Sequence, residues 1–136
     1  KGGGFVVGYT ENDGDVDPVF RVFDAEGNGI SAIRELGVED EPGRSNNNEP
    51  AIAPLDDGGF IIIYDKDAGS PQIRGQRFDS LGNSVGKDFL VADENGAQIK
   101  ATLLSDKRVA VCYAANGEIR LAIIQSQPVQ SKTTVP

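Results

Sequence analysis

Two matching stretches decide the fold: GGFVVGY at residues 3–9 and GGFIIIY at residues 58–64. They share the glycine pair, the phenylalanine and the tyrosine. At the same spacing, FDAEGN at residues 23–28 matches FDSLGN at residues 78–83. Two blocks that match in one register, with no gap between them, indicate an internal repeat.

A third copy follows in weaker form. LDD at residues 55–57 recurs as LSD at residues 104–106, and IIY at residues 62–64 recurs as VCY at residues 111–113. The repeat therefore runs through most of the chain. We expect one all-β repeat domain over residues 1–125, followed by a polar tail or linker over residues 126–136. The expected copies cover about 2–41, 49–94 and 98–125.

The most complete copy predicts four short strands. Residues 50–54 alternate small and apolar side chains between two prolines, which is typical of a short strand. The glycines that follow allow a tight turn. Residues 60–64 are apolar without alternation, which predicts a strand covered on both faces. Residues 73–78 and 85–91 then predict the third and fourth strands.

The hairpin between the third and fourth strands has its own turn chemistry. Gly82 is expected in the left-handed conformation that a bulged hairpin loop requires. Asp79, and Asp24 at the matching position of the first copy, are expected to cap their turns through the carboxylate.

Four antiparallel strands joined by turns are typical of a β-propeller blade. The fold class is therefore predicted as all-β, a partial propeller of about two and a half blades. A closed ring takes four to eight blades, so a closed monomeric propeller is excluded by length. A β-sandwich of about ten strands is the alternative, since packed antiparallel sheets give the same local pattern.

Composition excludes several classes of function. The net charge of −8 and the scattered basic residues argue against nucleic acid as a partner. No apolar run approaches the length of a membrane span, so no membrane insertion is expected. The chain has no histidine, which removes Ser-His and Cys-His catalysis and His-ligated zinc. Its one cysteine, Cys112, lies in an apolar pattern and is predicted to be a small buried hydrophobe.

Two segments together resemble a known repeat. They are PAIAPLDDGGF at residues 50–60 and RFDSLGNSVG at residues 77–86. The resemblance is to a repeat of large secreted bacterial proteins, which often also carry calcium-binding RTX repeats and are similar in habit to surface adhesins. It implies blade-like repeats and an extracellular or cell-surface location. The chain departs from that pattern because it has no tryptophan, and Lys107 and Arg108 replace the Gly-Gly turn in the third copy.

One constellation has the chemistry of a metal site. Asp13, Asp15 and Asp17 lie at alternate positions in the predicted loop between the second and third strands of the first copy, where carboxylates can turn towards one calcium ion. Pro18 breaks the usual calcium-loop pattern, and the matching loop of the second copy does not keep the spacing. A solvated acidic turn is the alternative. No other cofactor is expected.

The sequence predicts a non-enzymatic, secreted or cell-surface repeat module for binding, adhesion or structural assembly. The expected partners are further copies of the same repeat or other subunits of a larger assembly. Glycans are a further candidate, because the polar loop at residues 46–49 can contact a sugar through its asparagine amides. A loop without a binding role is the alternative. The alternative is a fragment of a carbohydrate-active propeller enzyme that uses carboxylates, although no residue pair is assigned to catalysis.

Overall fold

The computed structural model of the chain describes residues 3–12, 16–36, 50–66 and 70–126. These residues form ten strands and no helix, so the all-β prediction is confirmed. The strands make three antiparallel sheets, named A, B and C in chain order. Within these ranges no helix has the length and apolar character needed to cross a membrane.

Each sheet is a meander in which strands that follow one another in sequence are neighbours. Sheet A contains β1 (Phe5–Asn12), β2 (Val16–Phe23) and β3 (Arg34–Glu35). Sheet B contains β4 (Ala51–Pro54), β5 (Phe60–Lys66), β6 (Gln72–Phe78) and β7 (Ser84–Ala92). Sheet C contains β8 (Ala97–Leu103), β9 (Arg108–Ala115) and β10 (Glu118–Gln125).

Sheet B lies between the other two, and its central strand β5 is buried on both faces, as the sequence predicts. One face joins an A–B cluster, made of Phe20, Val22, Leu36, Phe60, Ile62, Tyr64 and Phe78. The other joins a B–C cluster, made of Ala51, Ala53, Leu55, Ile61, Ile63, Ile73, Ile99, Val109, Val111, Tyr113 and Ala115. Each large apolar side chain buried in this way contributes about 2 kcal/mol.

Three aromatic rings fix the position of sheet A on sheet B. Phe20 of β2 lies with its ring centroid 4.5 Å from that of Phe78 and 5.6 Å from that of Phe60. Phe60 and Phe78 pair across β5 and β6 and stack at 5.3 Å. Such pairs add about 1 kcal/mol each beyond the area they bury.

Gly8 allows β1 to approach β4 closely. A Cβ atom at this position would lie 2.9 Å from Cδ1 of Ile52 and 3.1 Å from Cγ of Pro50. These distances are shorter than ordinary van der Waals contact. The small residue in the first copy therefore accommodates a large one from the second.

The two capped turns are confirmed, and they are built alike. Asp79 Oδ1 accepts hydrogen bonds from the backbone N–H groups of Leu81 and Asn83, each at 2.9 Å. Asp24 Oδ1 accepts from the backbone N–H of Asn28 at 2.7 Å, and the Asn28 amide donates to Oδ2 at 3.0 Å. These hydrogen bonds from asparagine lower the pKa of both carboxyl groups. Their stabilisation is therefore present above the ordinary aspartate pKa and lost as the pH falls through the lowered value.

The third copy keeps its first turn without the glycine. Lys107 has φ 72°, in the left-handed region that Gly58 occupies in the second copy with φ 91°. The backbone hydrogen bond from Lys107 N–H to the Leu104 carbonyl, 3.0 Å long, repeats the one from Gly58. A residue with a Cβ atom loses about 1–2 kcal/mol in this conformation. The turn geometry is thus retained at a cost in backbone strain.

The described strands divide into three sheets, not the two that define the β-sandwich left as an alternative. The three sheets also do not form a closed propeller. The end of the expected first copy falls largely on residues outside the described ranges, as does the expected tail apart from Ser126. The extents of the copies and of the domain stay predictions.

The hairpin glycines offer a matched test of the packing between sheets A and B. Gly82 and Gly27 hold equivalent turn positions with φ 82° and 86°. An added Cβ at position 82 would meet Val22 Cγ2 at 3.0 Å and Phe20 Cε2 at 3.4 Å, whereas one at position 27 meets nothing within 4 Å. Gly27→Ala should therefore cost about 1–2 kcal/mol through backbone strain alone. Gly82→Ala should cost about 1–3 kcal/mol more, through overpacking.

Thermal unfolding of the two variants measures this difference, at about 4 °C per kcal/mol for a chain of this size. Equal melting temperatures for the two alanine variants would mean that the 79–83 turn does not pack on sheet A.

Candidate functional site

The outer face of sheet A, turned away from sheet B, is apolar. Phe5, Val7 and Tyr9 of β1 project from it, and Phe5 exposes 47% of its surface. Across the sheet, Phe23 stacks on Phe5 with ring centroids 5.2 Å apart, and the Arg21 guanidinium lies 5.5 Å from the Phe23 centroid. We call these five residues the A face.

The outer face of sheet C is also apolar. Ile119 and Leu121 of β10 are 83% and 66% exposed, and Ile123 follows two positions later on the same face. Ala110 and Cys112 of the neighbouring strand β9 lie directly opposite Ile123 and Leu121. We call these five residues the C face. Contiguous exposed apolar side chains on a folded protein typically mark an interaction surface.

A cleft of about 790 Å³ opens between sheets A and B at the end where their turns meet. Val6, Val22 and Phe60 supply part of its apolar wall. Asp24 and Asp57 are among its acidic lining residues. An apolar cleft with a few polar groups is the usual form of a small-molecule site.

The carboxylates Asp24 and Asp57 of the cleft already make contacts within the protein. Asp57 Oδ1 accepts from the backbone N–H of Gly59 at 2.8 Å, and its other oxygen is ion-paired with the buried Arg77. The Asp24 carboxylate is occupied by its own turn. Glu26 is the other acidic residue that lines the cleft. Any pair of these three carboxylates therefore includes at least one that already holds a turn or an ion pair.

A Tyr–Arg–carboxylate cluster occurs once in sheet C. Tyr113 pairs with Arg120 across β9 and β10. The Tyr113 hydroxyl donates to Glu94 Oε1 at 2.7 Å, and Arg120 binds both Glu94 oxygens at 2.8 and 3.1 Å. Burial, and then the hydrogen bond and negative charge of Glu94, raise the pKa of Tyr113. Since Glu94 lies between β7 and β8, the cluster ties this connection to sheet C.

Sheet B carries the counterpart of this cluster. Tyr64 pairs with Arg74 across β5 and β6. Arg74 Nε donates to Asp88 at 2.6 Å, and the Tyr64 hydroxyl lies 3.4 Å from the same oxygen. In the sequence, the signal for these clusters was that the tyrosine and the arginine of one copy both recur in the next. The carboxylates could not be found in that way, because one lies in a strand and the other in a connection.

The candidate calcium residues are only partly described. Asp13 and Asp15 lie outside the described residues, as do the candidate sugar contacts at residues 46–49. Asp17 is half-buried within strand β2, not in the preceding loop as expected. Among the side chains that the structure describes, no group of three acidic, cysteine or histidine residues is placed to hold a metal. Calcium binding stays a prediction.

The burial of Cys112 differs from what the sequence predicts. It is half-buried, on the outward side of β9, and not part of the buried core. The sequence left the ligand-binding residues unassigned. The apolar run at residues 121–124 was a signal that both sides of β10 are apolar, but the pattern alone does not say which side another sheet covers.

Comparison of the chain with protein-family models, with curated proteins and with solved structures gives no match. What the chain does is therefore inferred from its own residues.

The Tyr–Arg–carboxylate cluster in sheet C leads to a testable prediction about the titration of Tyr113. Because the pKa of Tyr113 is raised, the stability it contributes is present below the ordinary tyrosine pKa of about 10 and is lost as the pH rises through the raised value. Glu94→Gln removes the charge that adds to this shift, while the burial remains. We expect tyrosinate absorbance of the folded protein to appear at lower pH in this variant.

The control is Glu118→Gln, since Glu118 contacts Arg120 at 3.4 Å but not the tyrosine. An identical tyrosine titration in wild type and Glu94→Gln would contradict the role assigned to Glu94.

Proposed function

We propose that this chain is a non-enzymatic repeat module, which acts by binding protein surfaces through the two ends of its stack of sheets. The observation that carries the proposal is the pair of exposed apolar surfaces, the A face and the C face. Both faces lie on regular strands. Each is the outer surface of a sheet whose inner surface packs on sheet B.

Burial energetics supports this function. Within the stack, each face of sheet B is covered by another sheet, and both covered faces are lined by apolar side chains. In repeat proteins each unit buries its core against its neighbours, and unpaired end faces need a cover. A surface such as Ile119, Leu121 and Ile123 is removed from water at a gain of about 25 cal/mol per Å².

The strand pattern supports a more specific interpretation. Sheet B is a four-stranded meander, and sheets A and C have three described strands each. This is the pattern that the partial propeller of about two and a half blades predicts. With the resemblance to repeats of secreted bacterial proteins, it favours an extracellular or cell-surface structural or adhesive role.

A carbohydrate-active enzyme, the alternative from the sequence, has less support. Such an enzyme needs two carboxylates placed on either side of a bond. At the cleft, Asp24 and Asp57 are held by a turn and by Arg77. The cleft remains compatible with the binding of a glycan as a ligand.

Sedimentation velocity over about 1–100 μM, where weak protein interfaces dissociate, tests the proposed function. We expect the wild-type chain to associate reversibly and Leu121→Lys to weaken the association by at least about tenfold, because a buried ammonium lacks a partner. Leu81→Lys is the matched control, since Leu81 is 58% exposed but lies in a turn and not on an end face. A wild-type chain that stays monomeric throughout would contradict association through these faces.

A further inference from the structure

The two faces of β5 have different neighbours, and this gives the stack a direction. Phe60, Ile62 and Tyr64 belong to the A–B cluster, so they face the preceding sheet. Ile61 and Ile63 belong to the B–C cluster, so they face the following sheet. A sheet of this repeat therefore has a preceding side and a following side.

Sheet A keeps the same direction. Phe5, Val7 and Tyr9 match, 55 residues earlier, the three side chains of β5 that face the preceding sheet. Val6 packs on the A–B cluster and Gly8 approaches β4, so these two positions face the following sheet, as their counterparts in β5 do. The exposed A face is thus a preceding side without a described sheet against it.

Sheet C keeps this direction as well. Val109, Val111 and Tyr113 match the preceding side of β5 at a distance of 49 residues, and they are buried against sheet B. Ala110 and Cys112 match its following side and point outward. The exposed C face is therefore a following side.

The second strand of the C face agrees with this assignment. Ile119 matches Ile73, 46 residues earlier on β6, and Ile73 lies in the B–C cluster on the following side of sheet B. Leu121 and Ile123 continue along the same side of β10. Both strands of the C face are thus equivalent to strands that another sheet covers within this molecule.

The two exposed faces also differ in the sizes of their side chains. The A face presents large side chains, including Phe5 and Tyr9, on β1. The C face has small ones, Ala110 and Cys112, on β9, with larger side chains beside them on β10. Large residues that meet small ones allow two layers to interdigitate.

Charge favours the same pairing. Glu11 and Asp17 are register partners on the outward side of sheet A. Lys100 and Arg108 lie on the outward side of sheet C, where Arg108 is also ion-paired with Asp106 at 2.7 Å. Opposite charges around an apolar contact set its partner and orientation.

We propose that the C face of one copy binds the A face of a second copy, so that copies of this chain join head to tail. This inference rests on the proposed function and names its partner. The contact is heterologous, since the two surfaces are different. Two copies joined at both ends supply six sheets. Closed propeller rings contain four to eight blades, each of them one sheet.

The test uses one variant for each face, Val7→Lys on the A face and Leu121→Lys on the C face. Each variant alone lacks one of the two surfaces that every head-to-tail junction needs, so each should sediment as a monomer. In an equal mixture, the intact C face of Val7→Lys meets the intact A face of Leu121→Lys. The mixture should therefore form a one-to-one dimer, with Leu81→Lys as the control that associates like wild type.

The thiol of Cys112 gives a second readout, because it lies on the C face only. In wild type, its reaction with a thiol reagent should slow as the concentration rises. Val7→Lys should abolish this protection, although the substitution is on the other end of the molecule. If a lysine variant loses its circular dichroism spectrum, Val7→Thr and Leu121→Thr repeat the test with smaller changes.

The outcomes separate the inference from the function on which it rests. If Val7→Lys still associates and protects Cys112, two C faces bind each other; this overturns the head-to-tail pairing and leaves association standing. If both variants are monomers and their mixture is too, the head-to-tail pairing is likewise overturned. If wild type itself is monomeric and Cys112 reacts at a constant rate, the proposed function fails together with the pairing.

Discussion

The burial of strand β5 on both of its faces is the constraint on which the rest of the molecule depends. Five consecutive apolar residues, from Phe60 to Tyr64, cannot keep one side in water without exposing two or three large side chains. A sheet that contains such a strand needs a layer on each side. Sheets A and C meet this need, and the two clusters they form with sheet B hold most of the described core.

The same constraint applies to sheets A and C, and among the described residues another sheet covers only one side of each. Because the three copies share one pattern, each of these sheets has a side suited to a neighbour that the described residues do not supply. The exposed Phe5 and Leu121 follow from this repetition and not from a separate binding motif. The proposed function thus uses, between molecules, the same packing of sheet on sheet that stabilises the fold within one molecule.

Local chemistry explains which features could be predicted from the sequence. The doubly covered strand, the capped turns at Asp24 and Asp79 and the left-handed Gly82 all depend on neighbouring residues, and all are observed. Lys107 in a left-handed turn was not predictable from propensity, since its conformation is imposed by the hairpin around it. Glu94 was missed because the contacts that define its role are made by residues distant in sequence.

The end faces were predictable only in outline. The repeat implies that the outer sheets need cover, but it does not say which residues project outward. That requires the register, in which Leu121 lies opposite Cys112 and Val7 lies opposite Arg21. The acidic motif shows the opposite case. It is plain in the sequence, but Asp13 and Asp15 lie outside the described residues and Asp17 lies within strand β2.

Native-state hydrogen exchange tests the central role of β5 most directly. At a concentration below that of self-association, the amides of β5 should exchange only through global unfolding, because the strand is paired on both edges and covered on both faces. The amides of β1 and β10, each covered on one face, should exchange earlier through local opening. Exchange from β5 that is as fast as that from β1 and β10 would contradict a fold organised around this strand.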